Sequence, residues 1–407
     1  MAQLLKHPAL LLTGGATKLF GMSNSGRPTI AEVDLGAFRH NVSSFVGLVR
    51  PSIVCAVVKA DGYGHGAVPC ATAAIAGGAR WLAVALVEEA IELRGAGISA
   101  PILLLSEFPD GAERDVVGHG ITPTVYSFRK IRALADVPTG SDTVRVHIKV
   151  DTGMHRVGAQ PHEVLPLARE VQGRASLEIG GVFTHLAVAD DPADLYTGIQ
   201  LRRFNAVVDE LRSAGVDPGL VHAANSAGAL AHPIARFDLV RVGIALYGND
   251  PDPTLPASAY GVTLRPVLRL SSRVSHVKVL AAGERASYGL RYTFQRESVV
   301  ATVPIGYADG LSRRYSSVGG EVLLHGRRRP IAGRVTMDQI LIDCGAPDPS
   351  RPVNPGDEVV LLGDQHDQRI TPWEMAARLE TIAYETTCAI SRRVPRSYVG
   401  TDPEIEL

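Results

Sequence analysis

Long apolar runs are missing from this 407-residue chain: nothing approaches the roughly 18 to 20 consecutive apolar residues that a membrane-spanning helix needs. An excess of charge of either sign is missing too. Lysine and arginine total 41 against 42 for aspartate and glutamate. That balance excludes the basic stripe of a general nucleic-acid binder and leaves no electrostatic reason for attachment to an anionic membrane. The four cysteines, Cys55, Cys70, Cys344 and Cys388, are scattered and form no C-x-x-C pair. They read as small buried hydrophobes in a reducing compartment, so a cytoplasmic protein is expected. The 13 histidines include no H-x-x-x-H pair with a third ligand, and no metal site is expected. The apolar stretch at 9–12 is too short for the core of a signal peptide, so residues 1–27 read as a loosely structured leader to which no function is assigned.

What is present is a soluble composition, 45% hydrophobic and 20% charged, in a chain long enough for two domains. Eight short apolar runs lie between residues 53 and 247: IVCAVVKA, WLAVAL, PILLLS, TPTVYS, VRVHIKVD, EIGGVFTH, LVHAANS and LVRVGIALY. Near-continuous apolar strands suit a parallel sheet covered on both faces. Helical periodicity fills several gaps between them. QLRRFNAVVDELRSAG puts Leu201, Phe204, Val208 and Leu211 on one stripe with Gly215 as a stop. SFRKIRALAD repeats the pattern behind Ser127 as N-cap, and DLGAFRHNVSSFVGLV opens on Asp34. The fold class is therefore α/β, with a (β/α)8 TIM-like barrel over residues 28–262. Beyond a Pro-rich linker, PDPTLPASAYG, the pattern becomes short strands with Gly and Pro turns, so residues 263–407 read as a mostly β C-terminal domain. Its one clear helix, TPWEMAARL, has Thr371 as cap, Pro372 at the first position and Glu374 to close a capping box.

Barrel enzymes carry their sites at the C-terminal ends of the strands. Those ends supply Lys59, Asp61 and Tyr63; Lys149, Asp151 and Arg156; His185; Asn225 and Ser226; and Arg241 with Gly243. A lone polar residue at such a position has about even odds of a structural role, but the joint pattern over five strands is harder to explain that way. A lysine partly desolvated at the end of a buried strand loses preference for its charged form, and its amine can attack a carbonyl. Asn225-Ser226 opens the helix SAGALAH, whose N-terminal amides suit an anion, and Gly243-Ile244 offer further backbone N–H groups. An imine-forming lysine with a phosphate cradle implies pyridoxal 5′-phosphate (PLP).

From about residue 29 onward the chain resembles the alanine racemases, PLP enzymes of fold type III. The resemblance rests on VVKADGYGHG, KVDTGMHRVG, THLAVAD, HAANSAGAL, LVRVGIALYG, SYGLRYTF, PIGYADG, GRVTMDQ and TIAYETTC, in that order. It implies Lys59 as the cofactor-bonding lysine and one acid/base, and Tyr288 as the opposing base supplied by the partner subunit of a homodimer with composite sites. Inversion at Cα needs bases on two faces, and a tyrosine with its usual pKa of about 10 needs cationic help. The resemblance assigns that help to His185 acting through Arg241, which it sets against the pyridine nitrogen. It places Arg156 at the phenolic oxygen and, with Met337 and Asp338, near the substrate carboxylate. Lys149 matches a lysine that is carbamylated in several members; an unmodified lysine paired with an acid is the alternative. Tyr63, Asn225, Ser226, Gly243, Ile244 and Tyr384 match the remaining cofactor-binding set. Asp190, Tyr307, Arg313, Arg334 and Ile382 match residues along the route by which substrate enters.

The chain departs from the pattern at Thr336, where many members carry cysteine. His155 reads as solvated and His65 as a turn residue. The implied function is interconversion of L- and D-alanine, supplying peptidoglycan synthesis. A broader racemase acting on serine or basic amino acids is the nearest alternative. A fold type III decarboxylase would carry an acid in place of Arg241, and a non-catalytic PLP-binding protein would lack the second domain.

Overall fold

A computed structural model describes residues 26–139 and 143–400, and within them all eight apolar runs form strands. The expectation of a leader falls almost wholly outside the described residues. After β1 (Ile30–Asp34) and α1 (Leu35–Val49) the chain runs through β2 (Ile53–Val57), α2 (Ala67–Ala76), β3 (Trp81–Val84), α3 (Val87–Gly95) and β4 (Ile102–Leu104). It continues through α4 (Glu113–Gly118), β5 (Thr124–Val125), α5 (Phe128–Ala135), β6 (Val144–Lys149), α6 (Val164–Gln172) and β7 (Leu177–Phe183). The last unit comprises α7 (Tyr196–Ser213), β8 (Leu220–His222), α8 (Ser226–Ala231) and β9 (Leu239–Val242).

Parallel pairing gives two four-stranded arcs, β4-β3-β2-β9 and β5-β6-β7-β8. Backbone bonds sew the arcs together. Leu104 N donates to Thr122 O at 3.0 Å on one side, and Arg241 N donates to Ala224 O at 2.9 Å on the other. The eight strands therefore close into a barrel, which removes every edge that would otherwise face solvent unpaired. The helix signals act as expected. Asp34 Oδ1 accepts from Ala37 N at 2.8 Å and Ser127 Oγ from Lys130 N, each satisfying an otherwise orphaned amide. Helix α7 starts a turn earlier than its apolar stripe predicts and stops just before Gly215, whose φ of +70° no helix continues.

The second half holds β10 (Leu268–Arg273), β11 (His276–Leu280), β12 (Arg285–Ala286), β13 (Tyr292–Thr293), β14 (Ser298–Val303), β15 (Glu321–Leu324), β16 (Arg327–Pro330) and β17 (Ile340–Asp343). It ends with β18 (Glu358–Gln365), β19 (Gln368–Ile370), α9 (Pro372–Leu379), α10 (Ala383–Cys388) and β20 (Arg396–Val399). Its main sheet is ordered β16-β15-β18-β10-β1-β20, with a smaller sheet β11-β14-β17. The first strand among the described residues is thus built into the sheet of the last segment. Ile30 lies opposite Ser271 in antiparallel register, and Ala31 beside Arg396 in parallel. In α9 the Thr371 hydroxyl accepts from Glu374 N at 3.0 Å, but the Glu374 carboxylate does not complete the expected box. It pairs with Arg328 and Arg378 instead, a charge-assisted alternative that outbids a single backbone amide.

Candidate active site

Lys59 follows β2 by two residues, and the chain then turns left-handed. Ala60, Asp61, Gly62 and Tyr63 have φ of +53°, +52°, +59° and +53°, and Gly64 follows at +83°. Each of the three non-glycine residues pays roughly 1–2 kcal/mol for that conformation, so neighbours must hold the turn. Asp61 Oδ1 accepts from Ala67 N at 2.9 Å and Glu89 Oε1 from Ala60 N at 2.6 Å. From the other domain, Arg396 Nη2 donates to Gly64 O at 2.9 Å. The Tyr63 ring lies 4.8 Å from Tyr247 and 6.2 Å from Tyr384. His65 is a turn residue, as read: its Nδ1 sits 2.9 Å from Tyr63 O, and burial lowers its pKa to about 4, so it is neutral. The turn fixes where the Lys59 amine stands.

That amine faces a crowd of cations. Burial, then Arg156, lowers the Lys59 pKa, with Glu89 opposing. Lys149 is pushed down to about 7, first by burial and then by Arg241, Arg156 and Lys59. It donates Nζ to Leu105 O at 2.8 Å and forms no ion pair among the described residues, though the charge of Asp151 reaches it and opposes the shift. His185 is held well below its usual pKa by burial and the same cations. Arg241 is buried with no carboxylate beside it. Nη1 lies 2.7 Å from His222 Nδ1, while Nη2 reaches Thr184 O at 2.7 Å, Ala223 O at 2.9 Å and His185 Nδ1 at 3.4 Å. Amines that shed protons readily are nucleophiles and proton carriers at neutral pH, which is what this mouth provides.

Next to Tyr63 the backbone makes a cradle. Gly243 N donates to Ser226 Oγ at 2.9 Å, and Asn225 Oδ1 accepts from Gly228 N at 2.9 Å to cap α8. A Cβ at Gly243 would fall 2.4 Å from the Tyr63 hydroxyl, so only glycine lets that hydroxyl approach the backbone. Ile244 begins the following short turn, and Tyr384 is close enough to Asp190 to feel its charge. The strand-end residues of the barrel, with Tyr384, therefore form one group.

Tyr288, Tyr307, Arg313, Arg334, Met337 and Asp338 form another. The Ser287 hydroxyl donates to Arg334 O at 2.9 Å, and Arg334 feels the charge of Arg313 and Arg291. Tyr307 N donates to Thr336 O at 2.9 Å, and Ala308 N to Met337 O at 3.1 Å. The Thr336 hydroxyl donates to Gln339 O at 2.8 Å within its own turn, so the departure from cysteine leaves this backbone platform in place. Tyr288, Tyr307, Met337 and, at the start of α10, Ile382 are 72%, 41%, 52% and 50% exposed. No hydrogen bond, ion pair or ring contact among the described residues joins this group to Lys59 within the chain.

Three residues of the site escaped the sequence reading: His222 and His147 behind Arg241, and Arg393, which ties Asp338 at 2.7 Å to the buried Asp309 at 3.4 Å. The histidines had a signal, since a polar residue inside an otherwise apolar barrel strand must find a partner across the core.

Residues 33–251 match the family described as alanine racemase, N-terminal domain, and residues 267–398 match alanine racemase, C-terminal domain. The chain is 49% identical over 375 residues to an alanine racemase of Symbiobacterium thermophilum, covering 92% of this chain and 98% of the relative. It is 43% identical over 380 residues to that of Desulfovibrio desulfuricans, covering 93% and 100%. Among solved structures, alanine racemase from E. faecalis superposes with a TM-score of 0.85 at 40% identity, covering 92% of this chain and 99% of the other. A Bacillus anthracis alanine racemase with bound L-Ala-P gives 0.85 at 38%, covering 93% and 97%. A histidine racemase from Leuconostoc mesenteroides gives 0.84 at 28%, covering 93% and 100%.

Proposed function

Because the chain belongs to the alanine racemase family, we propose that its chemistry runs between Lys59 of one subunit and Tyr288 of a second copy. The protein interconverts L-alanine and D-alanine with PLP as cofactor. The observation that carries the site reading is the Lys59 amine, lowered in basicity by burial and Arg156, which shares Lys149 and His185 as neighbours with the buried Arg241, itself without a bonded carboxylate. The residues present fit the cofactor. Tyr63, Ser226, Gly243, Ile244 and Tyr384 would hold its phosphate, with Asn225 shaping that turn. Arg241 has one nitrogen, Nε, without an acceptor among the described residues, and would offer it to the ring nitrogen. Arg156 would meet the phenolic oxygen. Bound through its aldehyde, PLP supplies an electron sink that acidifies the Cα–H of the substrate.

The chain's own part is to move that proton. Lys59 Nζ, neutral once its proton is shed, serves the face of D-alanine, and the Tyr288 hydroxyl serves the face of L-alanine. Arg241 cannot give up its proton, so it donates a hydrogen bond without protonating what it touches. His185 sits 3.4 Å from Arg241 and links that cation toward the tyrosine's side. Arg156, Met337 and Asp338 orient the carboxylate. Asp190, Tyr307, Arg313, Arg334 and Ile382 line the way in. The exposed aromatic and apolar side chains around Tyr288 are the surface that a second subunit would cover, which makes the assembly a homodimer with shared sites. Residues 28–262 act as the cofactor barrel and 263–407 as the domain that reaches the partner. A cytoplasmic location, with D-alanine passing to peptidoglycan synthesis, is in keeping with three buried free cysteines, and no helix among the described residues is long and apolar enough to cross a membrane.

The direct test is chiral chromatography of L-alanine incubated with PLP-loaded protein, with L-serine, L-lysine, L-arginine and L-histidine in parallel. D-alanine accumulates fastest; faster inversion of any other amino acid would overturn the substrate assignment.

We also propose that Lys149 carries a carbamate, which would turn a cation into an anion beside Arg156. Only a neutral amine reacts with carbon dioxide, and that form gains as pH rises through about 7. In 13C-bicarbonate a carbamate carbonyl resonance therefore grows over that range and is absent in Lys149→Gln. Identical spectra for the two proteins would mean an unmodified lysine.

A further inference from the structure

Behind Arg241 a chain of hydrogen bonds runs through the buried core of the barrel. Arg241 Nη1 meets His222 Nδ1 at 2.7 Å, and His222 Nε2 meets His147 Nδ1 at 2.9 Å. All three side chains are at most 3% exposed. Chemistry fixes the direction of every bond. A guanidinium can only donate, so His222 Nδ1 must accept, which places the His222 proton on Nε2. That proton is donated to His147 Nδ1, leaving the His147 proton on Nε2. A second proton on either ring would set two donors head to head. Both rings are therefore neutral by geometry, and burial together with Arg241 moves both the same way, His147 to about 3.

The chain ends at His147 Nε2, a buried donor with no hydrogen-bond partner among the described residues. The fold nonetheless makes room for it. A Cβ on Gly181 would lie 2.6 Å from the His147 ring and 2.7 Å from its Nδ1, and Gly180 is packed against the same ring. The His222 ring stacks on Phe183 at 4.6 Å and 5°, and that same Phe183 ring lies 5.0 Å from the Arg241 guanidinium. A buried arginine would ordinarily be met by a carboxylate. Here the side chains that bond it are His222 and His185, both neutral, while Cys55 and Lys149 make no bond to it, so a carbamate on Lys149 would act on Arg241 only through space.

We infer that His222 and His147 are positioning residues, a hydrogen-bonded pair that holds Arg241 by a neutral acceptor so that no directly bonded anion neutralises its positive charge at the barrel mouth. The inference rests on the reading that Arg241 faces the cofactor ring. It explains why a neutral imidazole stands at His222: a carboxylate in its place would satisfy the arginine but weaken the field that keeps protons off the groups around it.

The test exchanges the neutral acceptor for a charged one in the PLP-loaded enzyme and follows the bound cofactor's absorbance against pH. His222→Gln preserves an acceptor toward Arg241 and a donor toward His147, and leaves the titration where it is in the wild type. His222→Glu moves it upward by about one unit or more, because an added negative charge lets nearby groups keep their protons. His147→Glu places the charge one ring farther away and gives a smaller shift of the same sign, which serves if His222→Glu does not fold. Equal titrations for the Gln and Glu variants, with equal losses of thermal stability, would mean that the histidines only fill the core. Arg241→Gln separates the two readings. If it shifts the titration while the histidine variants do not, the relay alone is wrong; if it shifts nothing, the placement of Arg241 fails and the relay with it.

Discussion

Tyr288→Phe lowers kcat by about two to four orders of magnitude while the absorbance of the bound cofactor is retained. The change removes one oxygen and no packing. Tyr288 is 72% exposed in the chain, at a bend between β12 and β13 where Ser287 has φ of +62° and Gly289 +76°. The bend is held by the Ser287 hydroxyl, which donates to Arg334 O at 2.9 Å and accepts from Arg334 N at 3.1 Å. Neither bond involves the tyrosine hydroxyl, so folding and cofactor binding have no reason to change. A phenyl ring cannot hold a proton, so the face of L-alanine loses its base while the face of D-alanine keeps Lys59. In deuterated water the variant should exchange the α-proton of D-alanine without inverting it and leave L-alanine untouched. Near-normal racemisation would place the second base elsewhere.

Lys59→Ala goes further, abolishing turnover and the covalent hold on the cofactor together. Borohydride reduction, which fixes an imine to the chain, should then leave no cofactor on the protein by mass. The left-handed turn survives, since it is held by Asp61, Glu89 and Arg396 rather than by the lysine. Each variant is inactive by itself, and they lie on different domains. Mixed and reassembled, they should recover about a quarter of normal activity, because half the random dimers carry one intact site of two. No recovery from a confirmed mixed dimer would mean that Lys59 and Tyr288 serve the same subunit.

Much of the barrel was legible because its strands are buried on both faces, and such strands announce themselves as continuous apolar runs. Lys59, Lys149, Arg156, His185, Ser226 and Gly243 were legible because they sit where those runs end. The left-handed run through Ala60, Asp61 and Tyr63 was not. Glycines marked a turn, but its hand is imposed by partners at Glu89 and Arg396, far along the chain. His147 and His222 were hidden for a different reason. Each looks like one polar residue in an apolar strand, and only closure of the barrel puts them in line with Arg241. Helix α10 is six residues long, too short for periodicity to show. The segment 251–261, read as a linker from its prolines, buries Leu255 and Ala257, because turn-formers do not forbid packing.

The strand that opens the described chain is also the one that closes the molecule. As a nascent polypeptide leaves the ribosome, Ile30–Asp34 emerges early, yet its neighbours Leu268–Arg273 and Arg396–Val399 are made late and last. The barrel strands can pair while synthesis continues, but this segment must wait with its hydrogen bonds unmade, and assembly ends at the strand that opens the described residues. A nick within 251–261 would therefore leave two fragments still clasped through that strand. Truncation to the second half would strip its main sheet of an inner member, and truncation to the first would leave Ile30–Asp34 without either neighbour. Ile30–Asp34 and Arg396–Val399 lie side by side, so the described backbone nearly closes on itself at this seam.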